Sequence, residues 1–186
     1  MEAMADDVGN QPMRNMGAHR PSELRARPSL KRAPRIRRAT TKDLDAVEEI
    51  ERASFEADRF SRRALARLLK SRSARGLIAE ADGRPLGYTI LLFRKGARAA
   101  RLYSIATAPV ARGRGVAANL LRAAEACAID LGRERLRLEV RSSNRVALRL
   151  YRKAGFAILK PLPNYYADGE SALRMEKRLG VAEGKR

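Results

Sequence analysis

The stretch Tyr103-Ser104-Ile105-Ala106-Thr107-Ala108-Pro109-Val110-Ala111-Arg112-Gly113-Arg114-Gly115-Val116-Ala117-Ala118-Asn119-Leu120-Leu121 carries the most information in the chain. Its first five residues read as the end of a strand. A loop with two glycines follows, and from Val116 the apolar spacing becomes that of a helix running to Leu131. Backbone N–H groups gathered at a helix N-terminus form a site for an anion. Small residues at Gly113, Gly115 and Ala117 let a diphosphate come close to the backbone, and Arg112 and Arg114 add positive charge beside it. Taken alone, the glycines also fit a structural turn that carries incidental arginines.

Three classes of phosphate site compete for this pattern. A P-loop fails, because no Gly-Lys-Ser/Thr is present. A dinucleotide fold is harder to dismiss: Gly113-Arg114-Gly115-Val116-Ala117-Ala118 matches G-x-G-x-x-A, with Glu139 about 20 residues further on. In that fold the strand runs almost directly into the first glycine. Here Ala108–Arg112 intervenes, Pro109 cannot extend a central strand, and too little chain follows Glu139 to complete a doubly wound sheet. The third class fits: Arg112-x-x-Gly115-x-Ala117 matches the Q/R-x-x-G-x-G/A signature of the GNAT superfamily of acyl-CoA-dependent N-acyltransferases.

The resemblance extends beyond the loop. Leu138-Glu139-Val140-Arg141-Ser142-Ser143-Asn144, then Ala147, Leu150-Tyr151 and Gly155-Phe156, resembles the second half of that superfamily's shared region, including the separation of Asn144 from Tyr151. Asn164-Tyr165-Tyr166-Ala167-Asp168-Gly169-Glu170-Ser171-Ala172-Leu173 resembles the ending of its ribosomal-protein alanine N-acetyltransferase branch. The likeness runs from about Arg35 to Leu179.

The resemblance implies a mixed α/β fold, a splayed sheet of about seven strands flanked by helices, with acetyl-CoA as cosubstrate and no metal. It implies that the backbone of Ile105, Ala106 and Thr107 holds the thioester and pantetheine arm. The diphosphate rests on Arg112, Gly113, Arg114, Gly115, Val116 and Ala117, and Asn144 contacts the pantetheine. Tyr151 faces the thiolate leaving group as an acid, with a buried core aromatic as its alternative role. Glu139 is the general base, with a structural ion pair to Arg137 or Arg141 as the alternative. Attack by the amine on the thioester needs no nucleophilic side chain. Phe55, Phe60, Tyr165 and Tyr166 form an apolar slot for the acceptor, and Glu56 and Asp58 attract its ammonium group.

Outward from this region, the elements follow from hydrophobic period and turn residues. Ile36–Ala39 is a short strand, Thr40 or Thr41 caps a helix over Lys42–Ala53, and Ser61 caps a second helix carrying Leu65, Leu68 and Leu69. Leu77–Ala81 and Leu86–Phe93 form a hairpin about Asp82-Gly83, whose residues tolerate the positive φ of such a turn. Strand Ala100–Thr107, the loop helix, strand Leu136–Arg141, helix Arg145–Ala154 and strands Phe156–Lys160 and Ser171–Lys177 complete the order β-α-α-β-β-β-α-β-α-β-β. Cys127 shares the packing face of Leu120, Leu121, Ala124 and Ala128, so it reads as core.

Composition bounds the rest. The 186 residues hold one cysteine and one histidine, which excludes a disulfide framework and a structural zinc site of about four ligands. No apolar run reaches the roughly 20 residues of a membrane span and no short apolar block of a secretory signal is present, so the expected compartment is the cytosol. Residues 1–34 contain Pro12, Pro21, Pro28 and Pro34, show no apolar period and read as a tail that holds His19, while residues 180–186 are expected to fray. Forty Lys+Arg against 21 Asp+Glu leave +19. Such a field favours anionic partners and repels polyamines and aminoglycosides. Arginine supplied by a high-GC coding sequence gives the same excess, so direct nucleic-acid binding stays open without being favoured. The expected acceptor is a protein or peptide amine, on a ribosome-associated particle. The alternatives are a small-molecule amine or amino acid, and a non-catalytic chain of the same fold bound to RNA or ribosomes. Oligomeric state is not readable.

Overall fold

The computed structural model describes residues 33–55 and 59–180. Residues 1–32 of the expected tail over 1–34, His19 among them, Glu56 and Asp58, and residues 181–186 of the expected frayed end over 180–186 lie outside the described residues. Seven strands and four helices follow the expected order: β1 Arg35–Arg38, α1 Leu44–Ser54, α2 Arg62–Lys70, β2 Ala74–Ala81, β3 Arg84–Leu92, β4 Ala99–Thr107, α3 Val116–Asp130, β5 Arg135–Arg141, α4 Arg145–Lys153, β6 Ala157–Leu162 and β7 Ala172–Arg178. The strands form one sheet in the order β1-β2-β3-β4-β5-β7-β6, antiparallel except where β4 and β5 run parallel. This is the mixed α/β sheet expected of the sequence.

The differences in boundary have physical causes. The first helix is preceded by a 3-10 turn, Thr41–Asp43, because Thr40 and Asp43 form a capping box: the Thr40 side chain accepts from the Lys42 N–H, and the Asp43 carboxylate accepts from the Thr40 N–H at 2.8 Å. Ser61 caps α2 by accepting from the Ala64 N–H at 3.2 Å. Asp82 and Gly83 both have positive φ, 51° and 71°, as their hairpin turn requires. Strand β6 runs on through Pro161 to Leu162, which a strand at the sheet's edge permits.

Strand alternation divides the core into two layers. Val47, Ile50, Leu65 and Leu68 of α1 and α2 pack with Ile78, Tyr88, Ile90 and Tyr103 on one face. Leu120, Leu121, Ala124, Leu148 and Tyr151 of α3 and α4 pack with Ala79, Leu91, Leu102, Ile105, Leu138 and Val140 on the other. Cys127 is packed against this second cluster, as its helical spacing indicated. On β4 the alternation is reset: Leu102 and Ile105, three residues apart, enter the same layer. The register explains it, because Leu91 pairs with Leu102 and Ile90 with Ser104, leaving Tyr103 as the extra residue of a β-bulge.

Arg37 ties the first strand to its neighbours. Its guanidinium donates to both carboxylate oxygens of Asp43, at 2.9 and 2.7 Å, and to Glu80 on β2 at 3.0 Å. These bonds, foremost the one from Arg37, hold the Asp43 carboxyl down at about 2 from 3.8 although burial pushes it up. Because the folded value is depressed, the contribution is complete above 3.8 and is lost as the pH falls through about 2. Asp43→Asn is expected to lower the unfolding free energy by about 2 kcal/mol at neutral pH. Denaturant melts across the acid range should show the gap to the unsubstituted protein closing as the pH approaches 2. A gap that stays constant would assign the loss to packing.

Candidate active site

The site begins where two parallel strands part. β4 and β5 pair only through Ala99, Ala100 and Arg101, opposite Arg135, Leu136 and Arg137. Beyond Arg101, β4 continues to Thr107 along β3, whereas β5 continues to Arg141 along β7. The bulge at Tyr103 lies two residues beyond the last shared pair, where its added bend and twist turn β4 away. A gap therefore opens between Ile105–Thr107 and Leu138–Arg141.

The backbone at this gap is oriented by the β3 pairing. The Ala108 N–H donates to the Leu86 carbonyl at 2.9 Å, and Ala106 and Ser104 lie opposite Tyr88 and Ile90. In an antiparallel pair alternate residues direct both backbone groups at the partner. Ser104, Ala106 and Ala108 are thus spent on β3, while the backbone groups of Ile105 and Thr107 face the gap. The Thr107 carbonyl there accepts from Ser54 Oγ at 3.3 Å.

At the far end of β4, Pro109–Ala111 forms a 3-10 turn, and the loop reaches α3 through Gly113 and Gly115, both at φ 75°. Gly115 is the N-cap of α3 and supplies no side-chain hydrogen bond. The first N–H groups of a helix have no intrahelical acceptor, so those at Val116, Ala117 and Ala118 point out of the helix end as an anion site. A Cβ built on Gly115 itself meets nothing within 4 Å. This fits a diphosphate. Arg114 is half-exposed on the loop. Arg112 is turned elsewhere: its Nη2 donates to the Ala53 carbonyl in the last turn of α1 at 3.2 Å, and burial lowers its pKa. It clamps the loop to the carbonyl end of α1, where a cation is favoured. Asn144 is buried as the N-cap of α4, its Oδ1 accepting from the Ala147 N–H at 3.0 Å.

Glu139 lies on β5, 2% exposed. Of the arginines beside it on β5, Arg137 pairs with Glu176, and Arg141 pairs with Asp168 and Glu170. The Glu139 carboxylate accepts from Arg101 Nε and from Arg174 Nε, each at 2.9 Å. Arg174 is its cross-strand partner on β7. Arg101 is the last β4 residue paired to β5, and it also donates to the Tyr165 hydroxyl at 3.0 Å and lies 5.4 Å from the Tyr103 ring centroid. Tyr103 in turn packs on Phe60 at 5.2 Å.

Tyr151 is fully buried on α4, packed on Phe156 at 5.8 Å. Burial, and after it the neighbouring Tyr166, push its phenol far above the ordinary range, so it stays protonated at any working pH. Tyr166 is buried too, and its hydroxyl feels Arg141, Tyr165, Glu139 and Glu170. Glu139, Tyr151 and Tyr166 therefore share one neighbourhood. The Arg141 guanidinium lies 3.9 Å above the Tyr166 ring, and Glu170 accepts from Arg141 at 2.7 Å and from Ser143 Oγ at 2.6 Å. Phe55 and Phe60 are buried in the α1–α2 layer, and Phe60 reaches the Glu139 group through Tyr103. Arg101 and Arg174 were missed from sequence. The available signal was a charged residue inside the apolar run Ala99–Leu102.

A second buried carboxylate, Glu51 of α1, accepts from the Phe60 N–H at 2.8 Å and from the Tyr88 hydroxyl, which contacts Ser104 Oγ at 3.1 Å. It fixes the start of the segment leading into α2. Among the described residues no group of three or more His, Cys, Asp or Glu could hold a metal ion, and no helix is long and apolar enough to cross a membrane.

Comparison with known proteins agrees with this geometry. The acetyltransferase (GNAT) family model matches residues 44–156. An N-acetyltransferase of Methanocaldococcus jannaschii is 35% identical over 150 residues, covering 80% of this chain and 94% of that protein. An N-alpha-acetyltransferase of Sulfurisphaera tokodaii is 33% identical over 156 residues, covering 76% and 90%. The crystal structure of the ribosomal-protein-S18-alanine N-acetyltransferase of Escherichia coli superposes with a TM-score of 0.73 at 27% identity, covering 83% of this chain and 99% of that one. With a family match over residues 44–156 and a relative 35% identical over 80% of the chain, the chain belongs to the GNAT family and is an acetyltransferase.

Proposed function

We propose that the protein acetylates the α-amine of a protein or peptide, taking the acetyl group from acetyl-CoA by direct attack and without an acyl-enzyme. The observation that carries this reading is the gap opened beyond Arg101, with the uncapped start of α3 at one end and Glu139, Tyr151 and Tyr166 at the other. The names of the archaeal and E. coli relatives support an N-terminal amine as acceptor.

Acetyl-CoA, when bound, supplies the thioester carbonyl. The Ile105 and Thr107 backbone faces that carbonyl and the pantetheine amides, and the loop amides from Gly113 to Ala117, with Arg114, hold the diphosphate. Arg112 serves this site from the α1 side by fixing the loop. Asn144 orients α4, and so Tyr151, at the same edge. Tyr151 donates its proton to the leaving sulfur. Glu139 receives the amine's proton, directly or through water, while Arg101 and Arg174 set its direction. Phe55, Phe60, Tyr165 and Tyr166 bound the acceptor slot. The reaction belongs in the cytosol, where acetyl-CoA and newly made N-termini meet.

Three outcomes test this reading. Steady-state assays should give a higher kcat/KM for a short Ala-initiated peptide than for spermidine or kanamycin, and millimolar acetyl-CoA should raise the melting temperature. A preference for a polyamine over every peptide would overturn the acceptor class. Tyr151→Phe should lower kcat by about ten-fold to a thousand-fold with acetyl-CoA affinity nearly unchanged, as for the loss of a positioned acid. An unchanged kcat would remove Tyr151 from that role. Glu139→Gln should depress the rate most at low pH, where the acceptor amine is mainly protonated, with partial recovery at high pH. An acidic limb identical to that of the unsubstituted enzyme would pass the proton to water alone.

A further inference from the structure

The excess positive charge lies in several stretches without an acid, among them Gly83–Ala124 with eight Arg and Lys and Arg141–Ala167 with six. From Arg59 to Ala79 the chain has seven Arg and Lys and no acid. Elsewhere the acids are spent on arginines of the sheet, in the pairs Arg37–Asp43, Arg101–Glu139, Arg141–Glu170 and Arg137–Glu176. On α2 itself only Arg62 is engaged, with Asp45 and Glu48 of α1. Among the described residues no ion pair involves Arg63, Arg67 or Lys70, and all three are exposed. Their i, i+4, i+7 spacing places them within about 60° of arc on one face of the helix. Leu65 and Leu68 are buried on the opposite face.

We propose that this face of α2 is an RNA-binding surface that brings the acceptor slot to substrates carried on RNA-rich particles. The exposed residues of the helix are Ser61, Arg62, Arg63, Arg67 and Lys70, without one apolar side chain. A helix inserted in a membrane interface or the core of a protein interface needs apolar anchors. A phosphate backbone needs only cations and hydrogen-bond donors, and arginine is the side chain that matches phosphate oxygens two at a time. The helix also starts two residues after Phe60, so an RNA held along it lies beside the entrance to the slot. That placement rests on the acceptor assignment above, whereas RNA binding itself does not.

The full-length protein and a fluorescently labelled RNA hairpin provide the test. Anisotropy titrations at salt concentrations from about 50 to 200 mM should show binding that weakens steeply with salt. The triple variant Arg63→Glu, Arg67→Glu, Lys70→Glu should bind at least about ten-fold more weakly, with a slope of log K against log salt shallower by about 2–3. Its kcat/KM for a short peptide should be unchanged, which also shows that it folds. If it does not fold, the Gln triple at the same positions takes its place. A control of identical charge change, Arg149→Glu, Arg152→Glu, Lys153→Glu on exposed α4 positions of the opposite layer, should keep its RNA affinity within about two-fold. No RNA binding by the unsubstituted protein, no effect of the α2 triple, or equal loss from both triples would each overturn the proposal. An unsubstituted protein that binds RNA through α2 but acetylates no peptide would overturn the acceptor assignment and leave this surface standing.

Discussion

Everything about the site depends on β4 leaving β5 after three shared pairs. Strands that stay paired to their ends would cover the backbone of Ile105 and Thr107 and leave nothing for a ligand to bind. The bulge at Tyr103 makes the departure possible without unpairing β4 from β3. It also exchanges the faces of the strand beyond it, so that Ile105 enters the α3–α4 layer and Ala106 the α1–α2 layer. Gly87 belongs to the same constraint. A Cβ there would stand 2.7 Å from the Ala106 carbonyl and 3.0 Å from Leu120, so a side chain would push α3 and β4 apart where they close over the base of the gap.

The second organising feature is the scarcity of acids in an arginine-rich chain. The two most buried carboxylates serve different layers. Glu51 gathers a backbone N–H and a tyrosine hydroxyl beneath the segment that enters α2. Glu139 gathers two guanidiniums where the strands part. A carboxylate withdrawn from water costs several kcal/mol unless its charge is met. At Glu139 that requirement draws β4, β5 and β7 to one point. Arg101, with its further contacts to Tyr165 and Tyr103, joins the carboxylate to both walls of the proposed slot.

Much of this was legible in the residues themselves. Hydrophobic period, Asp82-Gly83, Thr40 and Ser61 were enough to order the elements, because each reflects chemistry within a few residues. The turn at Gly113 and Gly115 and the start of α3 at Val116 were legible because glycine at positive φ and an uncapped helix start are local properties. What escaped were contacts between distant segments. Around Glu139, neighbours along β5 drew attention to Arg137 and Arg141, whereas Arg174 and Arg101 reach it through the register with β7 and the last pair with β4, which a single strand does not display. Arg112 shows the same limit. Its charge beside the glycines was plain, but the Ala53 carbonyl that captures it lies in a different element.

The connection between β6 and β7 carries Tyr165 and Tyr166, and it is held by groups unlike those that hold the core. Ion pairs from Arg141 to Asp168 and Glu170, the Ser143–Glu170 bonds and a guanidinium over one ring secure it, and most of its residues are exposed. Elements secured by solvated charge open at less cost than elements secured by buried apolar area. This connection, which is the acceptor wall in the reading proposed above, therefore opens at less cost than the strands around Glu139. If it bounds a peptide site as proposed, the peptide enters and leaves by local opening of this one edge, while the gap between β4 and β5 keeps its shape.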